Sequence, residues 1–417
     1  MKLIGNKYLQ WEKGQENVNV IYVSLCCAQK RFNELMKEIR NPVQSDQKLH
    51  TLLLRGMAQH VDTEVNAVSA LPVNRSNYMR KYTPSEHLVE KGCNYFHLAS
   101  LNVPVLCNAY NFIQSFLEVC RLGKANKKDS VVICDILKLS IASGALLASK
   151  LLGIKSIGIV TDVPRKRPNK GNLLYRIIDR LRYVQLNAYD AYVFLTEQMN
   201  GLINHGGKPY VVIEGAVDKE MAQIPNILEE KNEPQICVYS GSIHRVYGIQ
   251  ALVEGFIVAG LSDIELWIYG DGDYRKDLEA LCETHSNIRY FGVVPNHEVI
   301  KTQIRASLLI NPRPPVGEYT KYSFPSKNME YMVSGTPLLA TKLPGMPDEY
   351  IPYIYELKDY TSTGISTALQ QIFGTSPSSM HEKGALAKKF VLEQKNHVIQ
   401  SQKIIDLVLT CCNTQKV

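Results

Sequence analysis

Four side chains within eight positions could grip an anion and a polyol together: Ser323, Ser326, Lys327 and Glu330. They sit in the stretch Lys321-Tyr-Ser-Phe-Pro-Ser-Lys-Asn-Met-Glu-Tyr-Met-Val-Ser-Gly-Thr-Pro337. Met329, Met332 and Val333 recur at helical spacing, and Gly335 with Pro337 stops the helix. Both hydroxyls and the ammonium therefore converge where that helix begins, beside its free backbone N–H groups. In a parallel α/β sheet such a helix start is an anion site, and phosphate is the usual anion. Glu330, one turn inside, would accept hydrogen bonds from sugar hydroxyls. An apolar run, Ala306 to Asn311, and the turn Pro312-Arg-Pro-Pro315 precede the stretch, and Leu338 to Thr341 follows it. The order is strand, loop, short helix, strand.

This stretch resembles the donor-binding signature of the retaining glycosyltransferases of family 4. That family carries a Glu-x7-Glu pair followed by a Gly-x-Pro ending. Glu330 matches the second glutamate and Gly335-Thr-Pro337 the ending, while Tyr322 stands at the first glutamate. The variant Tyr-Ser-x-Pro-Ser-Lys-x-x-Glu-Tyr-Met is similar to the subgroup of bacterial capsule, exopolysaccharide and O-antigen biosynthesis. The resemblance covers about residues 236–350 and is thinner over residues 1–200. It implies an α/β, GT-B architecture, two Rossmann-like domains whose parallel sheets face each other across a cleft. Residues 1–217 would bind the acceptor, 218–395 the nucleotide sugar, and 396–417 would form a helix crossing back to the first domain.

Length agrees: 417 residues are natural for two domains. Hydrophobic content of 45% and charged content of 21% are those of a soluble globular protein. The ten cysteines are scattered, with adjacent pairs at Cys26-Cys27 and Cys411-Cys412 and no CxxC spacing, which reads as reduced cytosolic thiols. The first residues lack a signal peptide's apolar core, and the most apolar region, 139–160, is broken by Lys150 and Lys155. A cytoplasmic protein is expected, soluble or peripheral on the inner face of the plasma membrane. Residues 1–217 hold 28 Lys and Arg against 17 Asp and Glu, whereas residues 218–417 hold 19 against 23. The two halves thus face different partners.

Strand-like and helix-like runs alternate along the chain. Residues 18–28, 64–71, 95–99, 130–135 and 156–162 read as strands, and 31–40, 103–122 and 139–152 as helices. Such alternation implies parallel sheets with right-handed crossovers. No GxGxxG fingerprint opens the chain, which argues against a dinucleotide enzyme. Asp135 and Asp162 each end a strand, where side chains line a binding crevice. The resemblance favours Asp162 for the active site. After it comes Arg165-Lys166-Arg167, then Arg176, Arg180 and Arg182 among Leu173, Ile177 and Leu181. This basic amphipathic segment suits a solvated face, anionic lipid headgroups or a diphosphate-linked acceptor. Stacking aromatics are few, so no nucleic-acid partner is expected. Strands and glycine turns then repeat at 235–242, 266–272, 288–292 and 306–311. Residues 360–373 read as a helix, 377–380 as a turn, and 382–395 and 401–409 as terminal helices.

A nucleotide-sugar donor needs a base pocket, charge opposite its diphosphate, and groups holding the sugar. By resemblance, backbone near Gly292-Val-Val294 takes the base and Glu330 the ribose. Gly241, Gly270 and Gly272 permit close approach of backbone to ligand. The family's usual cations are absent, their places held by Ser242 and Tyr247. Lys327 and Arg245 are then the first candidates to stabilise the leaving diphosphate, with Arg313 and Lys321 behind them. Ser323, or backbone at Phe324, would stand in for the absent glutamate, and Ser326 would add a donor contact. His244 reads as a turn residue. Asp271 and Asp273 have no further ligands nearby in sequence, so no metal and no cofactor is expected. The expected activity is retaining transfer of a sugar from a nucleotide sugar, UDP-linked by preference, to a lipid-linked saccharide. Two alternatives stand beside it, a GT-B sugar-nucleotide epimerase and a non-catalytic partner subunit.

Overall fold

Val18–Ser24 is buried at every position, as a strand covered on both faces must be. It pairs in parallel with Thr63–Ser69 and with Ser130–Asp135. The sheet they belong to has eight strands, in the order Tyr210–Val212, Ala191–Phe194, Lys155–Val160, Ser130–Asp135, Val18–Ser24, Thr63–Ser69, Cys93–His97 and Glu86–Glu90. The last pair is antiparallel, closed by a hairpin at Lys91-Gly92. The computed structural model describes residues 18–39, 45–60, 63–73, 77–104, 106–127, 129–163 and 173–413.

A second sheet has six strands, in the order Ile288–Gly292, Ile264–Tyr269, Gln235–Ser240, Leu308–Asn311, Leu338–Ala340 and Tyr355–Glu356, and every pairing is parallel. Strand order runs outward from Gln235–Ser240 in both directions. The carboxyl ends beside that reversal form a crevice, where α/β sheets bind ligands. The core on one face joins Cys237, Tyr239, Leu252 and Phe256, and on the other Val238, Leu309, Met332 and Leu338.

Described residues up to 158, with 188–191 and 408 onward, form one compact unit; 159–187 and 192–407 form another. Residues 377–380, expected as a turn, instead open the helix Pro377–Gln394. Pro377 occupies its first turn, where a missing N–H costs nothing, and Ser376 caps it by accepting from the Ser379 amide. Among the described residues no helix is long and apolar enough to cross a membrane.

Candidate donor site

Strand Gln235–Ser240 delivers Gly241 to the carboxyl edge of the six-stranded sheet. Its amide donates to Tyr269 O at 2.9 Å, and the Gly270 amide to Gly292 O at 2.7 Å. Three strand ends are thereby laced together. A Cβ on Gly270 would fall 1.7 Å from Gly241 O, so neither backbone leaves room for a side chain. Ser242 is exposed, and its carbonyl accepts from the Tyr239 hydroxyl at 2.7 Å.

Helix Ser326–Ser334 forms as its apolar spacing predicts, with Met329, Met332 and Val333 buried and Gly335 closing it at φ 83°. No side chain caps its start. The Lys327 ammonium lies 4.9 Å from the Tyr239 ring centroid, and a Cβ on Gly241 would be 1.3 Å from its nitrogen. Burial pushes that ammonium down, Glu330 draws it back up and Arg313 lowers it further, leaving it at about 8. Arg313 reaches toward the same place: its Nη1 donates to Ser323 Oγ at 3.4 Å, and its guanidinium lies 5.4 Å from the Tyr247 ring and 5.5 Å from that of Tyr319. Its Nε is buried and has no partner. Two cations, a serine hydroxyl and a helix start thus converge where the sheet's crevice opens. That is the chemistry of a phosphate site.

A buried polar wall stands behind these groups. The Tyr331 hydroxyl accepts from the Ser240 amide at 2.8 Å and donates to Ser240 O at 3.0 Å. Gln303 donates to Ser240 Oγ at 3.0 Å, and Asn311 donates to Asn328 Oδ1 at 2.6 Å. Sequence reasoning did not single out Tyr331, Gln303, Asn311 or Asn328. A polar residue at an apolar helix position, as at Asn328, was the available signal.

Other sequence candidates are placed as follows. Arg245 is exposed and turned along the helix Arg275–Thr284, its Nη2 donating to Asp277 Oδ2 at 2.6 Å and its guanidinium 4.7 Å from the Tyr274 ring. His244 Nδ1 accepts from the Asp273 amide at 3.2 Å. Asp273 itself accepts from the Arg245 amide at 2.8 Å, and Asp271 from the Gly272 amide at 3.0 Å, so both carboxylates serve the turn. Among the described residues no group of three His, Cys, Asp or Glu side chains could hold a metal ion. Phe324 is buried against Tyr350, ring centroids 5.2 Å apart, and Ser326 is exposed. Glu330 and Val294 are half-buried. Asp162 is exposed and accepts from the Val163 amide at 2.8 Å. Asp135 is 1% exposed, 3.4 Å from His50 Nε2, while His50 Nδ1 meets the Tyr22 hydroxyl at 2.6 Å. Arg176 and Arg180 are exposed on the helix Leu173–Asn187; Arg165, Lys166 and Arg167 lie outside the described residues.

Residues 234–360 match the family Glycosyl transferases group 1, so this segment carries a glycosyltransferase group 1 domain. No curated protein sequence matches the chain. Among solved structures, sucrose-phosphate synthase of Thermosynechococcus elongatus is similar at 13% identity and TM-score 0.60, over 95% of this chain and 100% of that one. Trehalose 6-phosphate synthase of Burkholderia multivorans is similar at 11% identity and TM-score 0.62, over 96% and 98%. HepE of Anabaena, solved with UDP and glucose, is similar at 12% identity and TM-score 0.58, over 94% and 100%. The fold shared with these glycosyltransferases is GT-B.

Proposed function

We propose that the protein is a retaining glycosyltransferase that moves a sugar from a nucleotide sugar, UDP-linked by preference, to a lipid-linked or oligosaccharide acceptor of cell-surface polysaccharide synthesis. One observation carries the donor half: at a helix start, Lys327 lies over side-chain-free Gly241 and feels the charge of Arg313, which reaches Ser323 Oγ. The match of residues 234–360 to the group 1 glycosyltransferases and the likeness to HepE, solved with UDP and glucose, support it.

In this reading the diphosphate lies against the helix start, neutralised by Lys327 and Arg313, with no metal or cofactor asked for. Gly241 and Gly270 let backbone approach it. Glu330 takes the ribose hydroxyls, and backbone near Val294 takes the base. Arg245 contributes only by leaving Asp277, so its share is the smaller one. Retention follows if the departing phosphate deprotonates the acceptor hydroxyl on the same face, leaving Ser323 and backbone at Phe324 to hold the sugar. Asp162 is assigned to the sugar's other side.

The acceptor half rests on the helix Leu173–Asn187. Ile177, Leu181 and Val184 are 47%, 55% and 59% exposed and share one face, beside exposed Arg176 and Arg180. An apolar stripe edged with arginines suits an anionic bilayer surface, with the protein peripheral on the cytoplasmic leaflet.

Calorimetric titration with UDP and GDP, comparing wild type with Glu330→Ala, tests the donor half. UDP binding lost in the variant supports it, and failure of both nucleotides to bind sinks it in favour of a non-catalytic partner subunit. Free sugar released from the donor without acceptor would point instead to an epimerase or hydrolase.

A further inference from the structure

The amino-terminal ends of the strands Gln235–Ser240, Leu308–Asn311 and Leu338–Ala340 hold a second group of polar side chains. Lys231 sends its ammonium to Ile304 O at 2.8 Å and to Thr336 Oγ1 at 3.0 Å. Both acceptors are neutral, and an ammonium carries three hydrogens. Among the described residues no carboxylate lies within ion-pair distance of it. Burial alone pushes this ammonium down to about 7.

The ammonium borders a cavity of about 240 Å³ whose walls include Ser307, Pro337, Met380 and His381. A neighbouring cavity of about 330 Å³ shares His381 and adds Asn226 and Lys388. Two polar atoms between them are buried without partners, His381 Nδ1 and Asn226 Oδ1. The Asn226 amide nitrogen is already spent, donating to Ser334 O at 2.8 Å and Thr336 Oγ1 at 3.0 Å. Lys231 also caps the last turn of the helix Asn296–Arg305 through Ile304 O. Capping accounts for that one bond and leaves the imidazole and the amide oxygen unexplained. Buried polar atoms are nearly always partnered, so two unpaired ones beside an ammonium held only by neutral acceptors signal a missing partner.

We propose that this cavity binds a small oxyanion of the phosphate class on Lys231 and His381. The chemistry selects the ligand. An ammonium hydrogen and an imidazole N–H are donors for phosphate oxygens, and the Asn226 oxygen is an acceptor for the P–OH of a protonated phosphate. Glu229 and Glu233 are exposed at the rim, where water screens their repulsion. The site stands at the opposite strand ends from the donor crevice and does not depend on the assigned activity.

Calorimetric titration of inorganic phosphate into the full chain at about pH 6, where Lys231 is charged, is the test. Saturable binding is expected in wild type and in Lys327→Met. It should weaken by about ten-fold or more in Lys231→Met, the loss of one charge-assisted hydrogen bond. His381→Ala, at a half-buried position, is expected to weaken it several-fold and keeps the proposal testable if Lys231→Met does not fold. The proposal is overturned if wild type shows no saturable site. It is equally overturned if neither Lys231→Met nor His381→Ala alters binding, or if Lys327→Met alone abolishes it and so places the phosphate at the donor edge.

Discussion

The Lys327 ammonium occupies the space that a side chain on residue 241 would need: a Cβ there would stand 1.3 Å from its nitrogen. Gly241 also holds φ at 147°, where L side chains are strained. Gly241→Ala must therefore both distort the strand end and evict Lys327. Strain of this kind costs about 1–3 kcal/mol, and the displaced cation adds a loss of anion affinity. The expected outcome is nucleotide affinity reduced by at least about ten-fold, with the fold retained by circular dichroism. Unchanged calorimetric affinity in this variant would remove Gly241 from the donor site.

Lys327 sits near 8 rather than in the ordinary lysine range. Its charge is therefore present below about pH 8 and lost as pH rises through that value. If the ammonium offsets the diphosphate, kcat/KM should fall on the alkaline side with a break near 8, because kcat/KM reports ionisations of the free protein. Lys327→Met should abolish that break and lower kcat/KM by about 10²-fold or more, the scale of one lost transition-state charge contact. A profile that is flat from pH 7 to 10 in wild type (about the span over which lysines titrate) assigns the charge elsewhere, first to Arg313.

Asp135 makes a different prediction. It ends a strand as a catalytic aspartate would, yet it is buried with His50 and Tyr22. Burial pushes its carboxyl up, but the hydrogen bond and charge of His50, with Lys138 and the Leu137 amide, outweigh that and hold it below the usual carboxylate range. A carboxyl lowered in the folded state stabilises the fold above its unfolded value and loses that contribution as pH falls through its folded one. Asp135→Asn removes a charged acceptor from the buried His50 imidazole, for which a loss of about 1–3 kcal/mol is typical. Urea melts at neutral pH should show that loss. They should also show that the variant no longer loses stability specifically below about pH 4. A variant as stable as wild type would mean that the pair carries no net weight.

The helix Ser326–Ser334 was legible because its determinants are local: apolar residues at period 3.6 and a Gly-x-Pro stop. The strand ending at Asp135 was legible as a continuous apolar run; so was the body of the one read at 156–162, but it stops at Val160 and leaves Asp162 in the loop beyond it. What escaped depends on chain segments far apart in sequence. Arg245 looked poised on a glycine turn, but Asp277 draws it aside. Arg313 sits in a proline-rich loop whose sequence has no periodicity, so nothing local announced that its side chain returns to Ser323. The start of the helix Pro377–Gln394 was read as a turn, because a proline stands at its first position. Only the Ser376 cap makes it a first-turn proline. The Glu86–Glu90 strand was missed because this edge strand, a glutamate at each end and no position fully buried, is too short and exposed to show an apolar run.

The wall behind the donor crevice yields the last prediction. Tyr331 is adjacent to Glu330 but turns inward, and its hydroxyl both accepts from and donates to the Ser240 backbone. Ser240 Oγ in turn takes Gln303, which is 0% exposed. Tyr331→Phe keeps the ring in its apolar surroundings and removes only the hydroxyl. It leaves the Ser240 amide buried and unpaired, at a cost of about 1–3 kcal/mol. Because Ser240 precedes Gly241, the strand end should loosen too. Nucleotide affinity should then drop by more than the stability loss explains at a temperature where both proteins are fully folded. Measuring affinity by calorimetry well below the variant's Tm separates the two effects. If Tyr331→Phe melts earlier but binds nucleotide as tightly as wild type, the hydroxyl supports the core alone and does not position the donor loop.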